Sequence, residues 1–369
     1  MNLKSKFVSL VAISVFSAGV LSTMGGSVVH AEKKTTPTLS KKNSILMNAN
    51  KESILLNALS DQERETVQDL LNQGNEFALS KFLAEIIYSV GFSNRVNDTK
   101  GTMAGGSYEK EFNENVQWFK DIPKDEWTHN GLKAFYLKNP EPTEKTVVLV
   151  HGFSSMPNNM GAWVKIYYDL GYNVLTPELR AHGSNTETVR SLGWKDKDDI
   201  VEWTHVLNEK NEEPDSEIIL SGVSMGAATV MMSSTAGLPN NIKGIIEDCG
   251  YTGIGEEMKT LIDAVPLLST TTKINIYNEL NQLIINKQGF SMEEASAVKQ
   301  VEKSTIPLLL IHGDSDYAVP TNMAKELYAA AAGEKELLLV KGADHPKAIL
   351  YDLPLYTSTV ANFLNQYTK

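Results

Sequence analysis

A single cysteine, Cys249, in a chain of 369 residues excludes an intramolecular disulfide. A chain this long needs none, because its own core buries enough surface to hold the fold. Cys249 follows the apolar pair Ile245-Ile246 with no basic residue adjacent, and reads as a buried core thiol. Histidine is scarce too, seven in all, and no His-Glu-x-x-His or comparable spacing joins the histidines to acids, so no metal site is expected. No Gly-x-Gly-x-x-Gly or phosphate loop occurs, so no cofactor is expected, and there is no internal repeat. Basic residues are in deficit, 34 Lys and Arg against 45 Asp and Glu for a net charge of −11. That balance argues against a nucleic-acid partner and against an electrostatic grip on anionic lipid.

Long apolar runs are missing except at the start, where Lys4 and Lys6 precede Phe7 to Leu21 and the small-residue stretch ending Val29-His30-Ala31. The run is shorter than a comfortable membrane span and reads as a secretory signal peptide over residues 1–31, cut after Ala31, with an uncleaved anchor as the alternative. A secreted or cell-surface protein with no integral span after cleavage is therefore expected. Cleavage removes two lysines and no acid, leaving a chain still more acidic.

Residues 32–50, rich in Lys, Thr, Ser and Asn, read as a flexible spacer. A helical appendage is expected over 51–107. Ser60 and Glu63 form a capping box before Val67, Leu70 and Leu71, and a second helix repeats apolar residues at Leu79, Phe82, Leu83, Ile86, Ile87 and Val90. The glycine-rich stretch Gly101 to Ser107 closes it. From 108 to 369 short apolar strands alternate with amphipathic helices, the pattern of a mainly parallel sheet covered on both faces. The strands are placed at Leu132 to Leu137, Val147 to Val150, Asn173 to Thr176, Ile218 to Ser221, Gly244 to Glu247, Pro307 to Ile311 and Glu336 to Val340. Helices are placed at Asn159 to Leu170, Lys195 to Leu207, Thr321 to Ala331 and a C-terminal stretch ending near Phe363. The interval 250–304 is too long for a plain crossover, and its apolar residues suggest helices inserted as a lid.

Ser221-Gly222-Val223-Ser224-Met225-Gly226 stands between the apolar run Ile218 to Leu220 and a small-residue helical stretch. A strand, a sharp turn and a helix with Gly-x-Ser-x-Gly at the turn form a nucleophile elbow, which holds Ser224 strained and exposed at a helix N-terminus. His345 follows the strand Glu336 to Val340 by a short loop, and Asp316 lies in the loop after the preceding strand, both at the carboxyl edge where such sheets place chemistry. The order Ser224, Asp316, His345 is Ser…Asp…His. Asp314 is an alternative acid, better suited to capping the loop, and Asp248 a third, better suited to a buried hydrogen-bonded role. His151 and His312 each precede a glycine at a strand end and read as loop-fixing groups. His182 reads as packing with Arg180, and His129 and His205 as surface or helix positions.

At these residues the chain from about Asn115 resembles the α/β-hydrolase superfamily, specifically the exported or cell-surface serine hydrolases of Gram-positive bacteria with a prolyl-oligopeptidase-like core. The resemblance is carried by Leu149-Val150-His151-Gly152-Phe153, Pro177 to Ser184, Gly193-Trp194-Lys195-Asp196, the elbow, Glu247 to Tyr251, Ile311-His312-Gly313 and Gly342-Ala343-Asp344-His345. It implies an eight-stranded, mainly parallel sheet with a small helical lid, seven of whose strands are those placed above. It also implies that the backbone N–H groups of Phe153 and Met225 form the oxyanion hole. The chain departs from the family at Glu178, where Asp is usual, and at Ala227, where many relatives carry Gly.

The resulting expectation is a cofactor-free serine hydrolase acting on a small-molecule ester of short to medium acyl chain through an acyl-enzyme. A small-peptide or amide hydrolase is the alternative within enzymes. An inactive fold used as a surface-binding module is the alternative outside them, against which the complete set Ser224, Asp316 and His345 argues.

Overall fold

The computed structural model describes residues 59–369 apart from 94, 98, 100, 212–215 and 266–267. The leader, the spacer and the first residues of the appendage lie outside the described residues. Strands β3 (Lys145–Val150), β4 (Asn173–Pro177), β5 (Glu217–Val223), β6 (Ile242–Asp248) and β7 (Leu308–Gly313) are buried along almost their whole length. Such near-continuous apolar runs are what a parallel sheet covered on both faces requires. With β1 (Asp125–His129), β2 (Leu132–Leu137) and β8 (Lys335–Val340) they form one eight-stranded sheet in the order β1-β2-β4-β3-β5-β6-β7-β8. Pairings β1–β2 and β2–β4 are antiparallel and the rest parallel.

Strand β1 is absent from the sequence-based assignment, because Asp125–His129 carries no apolar alternation and lies half in solvent at the sheet edge. Its signal is instead the turn: Asn130 and Gly131 both take positive φ, 51° and 80°, the two-residue hairpin conformation that Asn-Gly favours. The other seven lie where expected: β2 has the expected bounds, β3, β4, β5, β6 and β8 are longer by one to three residues, and β7 is shifted to start at Leu308 and end at Gly313.

Alternation along each strand divides the core in two. Val147, Leu149, Ile219, Ile246, Leu309 and Ile311 face α3 (Glu109–Asp121), α4 (Gly161–Asp169), α11 (Ala348–Tyr351) and α12 (Leu353–Tyr367). Val148, Val150, Leu220, Ile245 and Leu310 face α5 (Asp196–Asn211), α6 (Met225–Ser233), α9 (Val298–Val301) and α10 (Thr321–Ala330). The expected helix Asn159 to Leu170 is split: Pro157–Asn159 forms a single 3-10 turn, and α4 begins at Gly161. Gly161 must be glycine, since a Cβ there would lie 2.4 Å from the Asn115 carbonyl oxygen in α3.

The appendage and the insertion form one layer. Helix α1 (Asp61–Asn72) starts at Ser60, whose capping box with Glu63 is present, and α2 (Glu76–Phe92) packs along α8 (Thr270–Gln288). Ser80 Oγ donates to the Thr272 carbonyl at 3.3 Å and Gln288 Nε2 to Tyr88 Oη at 3.4 Å. Ile276, Leu280 and Ile284 of α8 are spent in this packing, together with Leu79, Leu83 and Tyr88 of α2, and belong to the same apolar cluster as α7 (Ile254–Asp263) and one face of the sheet. The two helical segments, remote in sequence, cover that side jointly.

Candidate active site

Ser224 sits between β5 and α6 with φ 56° and ψ −118°, a conformation that a non-glycine residue reaches only under constraint. The constraint is packing. A Cβ on Gly222 would lie 2.3 Å from the Gly226 carbonyl carbon, and one on Gly226 would lie 2.1 Å from the Val150 carbonyl oxygen. The Ser224 N–H donates to the Asp248 carbonyl at 2.7 Å, tying the elbow to β6. Ser224 is buried except for a small opening, at 6% exposure.

Folding brings the three residues of the expected relay together. Ser224 Oγ lies 2.8 Å from His345 Nε2, and His345 Nδ1 lies 2.7 Å from Asp316 Oδ2. The other oxygen, Asp316 Oδ1, accepts the N–H groups of Ala318 and Val319 at 2.9 Å each. Burial works to raise the Asp316 pKa, but the charges and hydrogen bonds of His345 and His312 outweigh it and hold this carboxyl well below the usual carboxylate range. An ionised Asp316 accepts only, so Nδ1 of His345 carries the proton and Nε2 offers its lone pair to the Ser224 hydroxyl. That arrangement can take a proton from Ser224 Oγ as it attacks a carbonyl carbon.

The competing acids are engaged elsewhere. Asp314 Oδ1 accepts the Gly342 N–H at 2.6 Å and the Ser315 hydroxyl at 3.0 Å, joining the two loops at the strand ends. Asp248 Oδ2 accepts Trp163 Nε1–H at 3.1 Å and the Tyr356 hydroxyl at 2.9 Å, and burial pushes its carboxyl up to about 6.

Phe153 and Met225 flank Ser224. Met225 opens α6, where first-turn N–H groups have no intrahelical acceptor. Phe153 follows Gly152, which is pressed so closely on the elbow that a Cβ there would lie 3.3 Å from Ser224 Cβ. Both residues thus adjoin the elbow, Met225 by following Ser224 in the chain and Phe153 through Gly152.

Of the remaining histidines, His151 and His182 hold loops, while His129 lies in β1 and His205 in α5. His151 is fully buried, with Nδ1–H donating to Gly152 O at 2.9 Å and Nε2 accepting Leu179 N–H at 3.2 Å, and burial pulls its pKa down to about 4. His182 donates from Nδ1 to the Arg180 carbonyl at 2.9 Å, but its ring packs edge-on against His151 while the Arg180 guanidinium turns away to Asp199. His129 meets Glu202 at 2.6 Å. Glu178, the departure from Asp, accepts the Ser184 N–H at 2.8 Å and hydroxyl at 3.0 Å; its longer side chain fills the space beside Gly183. Ala227 is buried in α6 and shapes the elbow's support rather than the opening.

Four residues gain a place at the site that the sequence did not suggest. His312 donates from Nε2 to Val319 O at 2.9 Å and stands 3.3 Å from Asp316 Oδ2. Cys249 takes φ 54°, and its Sγ, an Asp316 oxygen and a His345 ring nitrogen all lie within 4.8 Å of one another. Those atoms would offer a cation three ligands only by taking Asp316 or His345 from the relay. Burial, reinforced by Asp248, Asp316 and Glu247, pushes the Cys249 thiol well up, so it stays protonated. Glu257 of α7 is buried with neither carboxylate oxygen partnered, and burial, then Asp316, raises it to about 8. Arg190, in the loop before α5, lies with its guanidinium carbon 4.3 Å from the centroid of the Phe153 ring. Arg190 and Glu257 lie in no local motif, whereas His312 and Cys249 lie in Ile311-His312-Gly313 and Glu247 to Tyr251; strand order and loop packing bring all four to Asp316 and Phe153.

Comparison with known proteins agrees with this architecture. The chain is 26% identical over 234 residues to the uncharacterized protein YqkD of Bacillus subtilis (strain 168), covering 63% of this chain and 75% of that protein. It is 23% identical over 254 residues to a thermostable monoacylglycerol lipase of Bacillus sp. (strain H-257), covering 64% and 96%. Among solved structures, the Pyrococcus furiosus esterase Pf2001 superposes with a TM-score of 0.56 at 20% identity, over 75% of this chain and 100% of that one, a likeness of fold. The BD-FAE family model matches residues 134–331, more than half of the chain, which runs from β2 through the elbow, the insertion and Asp316 to the end of α10. On that match, with an eight-stranded sheet of this order, the chain belongs to the BD-FAE family within the α/β-hydrolase superfamily.

Proposed function

We propose that the protein is a serine hydrolase that cleaves carboxylic esters of short to medium acyl chains, and that it works outside the cytoplasm after cleavage behind Ala31. The observation that carries the chemistry is the continuous relay Ser224 Oγ, His345 Nε2, His345 Nδ1, Asp316 Oδ2, with contacts of 2.8 and 2.7 Å. Ser224 Oγ attacks the ester carbonyl carbon while its proton passes to His345 Nε2. The Phe153 and Met225 N–H groups take the negative charge of the tetrahedral oxygen, and Asp316 stabilises the imidazolium. The carbon–oxygen bond to the alcohol then breaks and His345 returns the proton to the leaving oxygen. Water deprotonated by His345 attacks the acyl-enzyme by the same route, releasing the acid.

Preference for esters is supported by the similarity to a monoacylglycerol lipase and by the apolar cluster that runs from Phe153 and Met225 through Trp194 and Tyr251 to Met258 and Leu261 of α7. In this reading the acyl chain lies against that cluster, and each methylene it buries is worth ~0.8 kcal/mol, or about fourfold in specificity.

Two measurements test the reading. A fluorophosphonate should label Ser224, and Ser224→Ala should keep the fold while losing both labelling and turnover; wild-type-like turnover in that variant sinks the assignment. In a panel of p-nitrophenyl esters, kcat/KM should rise from acetyl to a short or medium chain and exceed that of dipeptide or aminoacyl anilides. Anilides cleaved faster than every ester would replace the esterase by a peptidase.

A further inference from the structure

Arg190 is an unusual residue to find inside this fold. It is 1% exposed, no carboxylate among the described residues pairs with it, and its Nε and Nη1 have no acceptor. Burial pulls its pKa down to about 10, which still leaves it charged at neutral pH. A buried charge without a counter-ion is strongly disfavoured unless something else takes its place.

Two things do. Nη2 donates to the Val90 carbonyl and the Arg190 backbone N–H donates to the Phe92 carbonyl at 2.9 Å. Both acceptors belong to the last turn of α2, where carbonyls have no intrahelical donors and the helix dipole favours a cation. The flat guanidinium also covers the Phe153 ring, its carbon 4.3 Å from the centroid, a contact suited to a weakly hydrated planar cation.

The neighbouring segment is sewn to the same loop. Arg95 donates to the carbonyls of Gly183, Asn185 and Glu187 at 3.0, 2.8 and 2.8 Å, and Val96 bridges His182. Asp196 fixes the other side of the loop through Ser191 Oγ at 2.6 Å and the Gly193 N–H at 3.2 Å. Arg190 is thus held at both backbone flanks and at its tip, with the Phe153 ring against its plane. Phe153 in turn is confined on its N-terminal side by Gly152, which lies against Val223 and Ser224.

We propose that Arg190 is a positioning residue of the hydrolytic site. Held by the carbonyl end of α2, it fixes the Phe153 ring and so the aim of the Phe153 N–H at the oxyanion, which makes the N-terminal helix pair a working part of the site. The inference rests on the reading of Phe153 as an oxyanion donor.

The test is a double-mutant cycle on the full chain with Arg190→Met, Phe153→Leu and the pair, read by ester kinetics and by affinity for a trifluoromethyl ketone. That probe adds Ser224 Oγ to its carbonyl carbon, moves the serine proton to His345 and places an oxyanion at the Phe153 and Met225 donors. Arg190→Met should lower kcat roughly 10- to 100-fold, because the donor is mis-aimed rather than lost, and should weaken the ketone by a similar factor with KM nearly unchanged. With Phe153→Leu already present, Arg190→Met should add less than about threefold. Losses that multiply, or a loss carried by KM, overturn the proposal, because an arginine that only anchors α2 acts independently of the Phe153 ring. Should Arg190→Met fail to fold, Phe153→Leu alone decides: it keeps the backbone donor, and unchanged kcat and ketone affinity overturn the proposal. Fluorophosphonate labelling of the unmutated chain separates the two readings. An unlabelled Ser224 removes the hydrolase assignment itself, whereas labelled protein with unaffected variants removes only the role of Arg190.

Discussion

The imidazole of His312 stands 3.3 Å from the Asp316 carboxylate, inside the fold and with no solvent exposure on either side chain. Asp316 Oδ2 therefore faces two histidines, His345 at 2.7 Å and His312 from the end of β7. Burial lowers the His312 pKa, and the Asp316 and Glu247 carboxyls more than offset it, so the net shift is upward. His312 also holds the Val319 carbonyl, which closes the loop bearing Asp316 upon itself. The carboxylate that meets His345 is thus also approached from behind by His312.

This geometry ranks three substitutions. Asp316→Asn should lower kcat by several powers of ten, because an amide can hold His345 in the wrong tautomer. His312→Gln should lower it by roughly tenfold, through a looser Asp316 loop. Asp314→Asn should leave it near the unmutated value, since the amide oxygen can still accept the Gly342 N–H. Steady-state ester hydrolysis at fixed pH checks the order; a larger loss at Asp314 than at Asp316 would move the acid to its neighbour.

The elbow tolerates no added carbon. Gly226→Ala places a Cβ 2.1 Å from Val150 O and 2.7 Å from His151 O, both in the backbone at the end of β3. Overpacking of this kind is worth about 1–3 kcal/mol or more. Gly237→Ala, at φ 90° with nothing within 4 Å, carries only the backbone penalty of roughly 1–2 kcal/mol. Urea unfolding should find Gly226→Ala the less stable, and esterase assays should find it inactive while Gly237→Ala retains activity. Equal activity in the two variants would show that β3 can move away from the elbow.

Glu257 supplies a pH signature. Burial, then Asp316, raises its pKa from 4.5 to about 8 in the folded chain. Below the unfolded value both states carry the proton and its contribution to stability is fully present. Between 4.5 and about 8 the unfolded chain has lost that proton while the folded chain keeps it, so the contribution declines as pH rises, on the order of 1 kcal/mol per pH unit. Urea midpoints measured from pH 5 to 8 should therefore decline less steeply in Glu257→Gln than in the parent. Glu247, likewise raised to about 8 by burial, is common to both and cancels in the comparison. Parallel slopes would place the Glu257 carboxyl in contact with water.

Much of the architecture was legible in the chain, because local chemistry dictates it. Strands β3 to β7 are apolar runs bounded by turn residues, and Gly222 and Gly226 around Ser224 announce the elbow, since a Cβ at either glycine would strike backbone where β5, α6 and β3 meet. The chain order of Ser224, Asp316 and His345, each just past a strand, was likewise readable, because a parallel sheet delivers every strand's carboxyl end to one edge. The tertiary structure alone decided the rest. The sequence favoured Asp316 over Asp314, but that Asp316 meets His345 while Asp314 meets Gly342 rests on the direction of two side chains in one short loop, which spacing does not encode. The partnership of α2 with α8 joins segments far apart in sequence, and each amphipathic face reveals only that it is covered, never by what. Arg190, His312, Cys249 and Glu257 belong to the site through burial and neighbours, properties created when strand order stacks distant loops together.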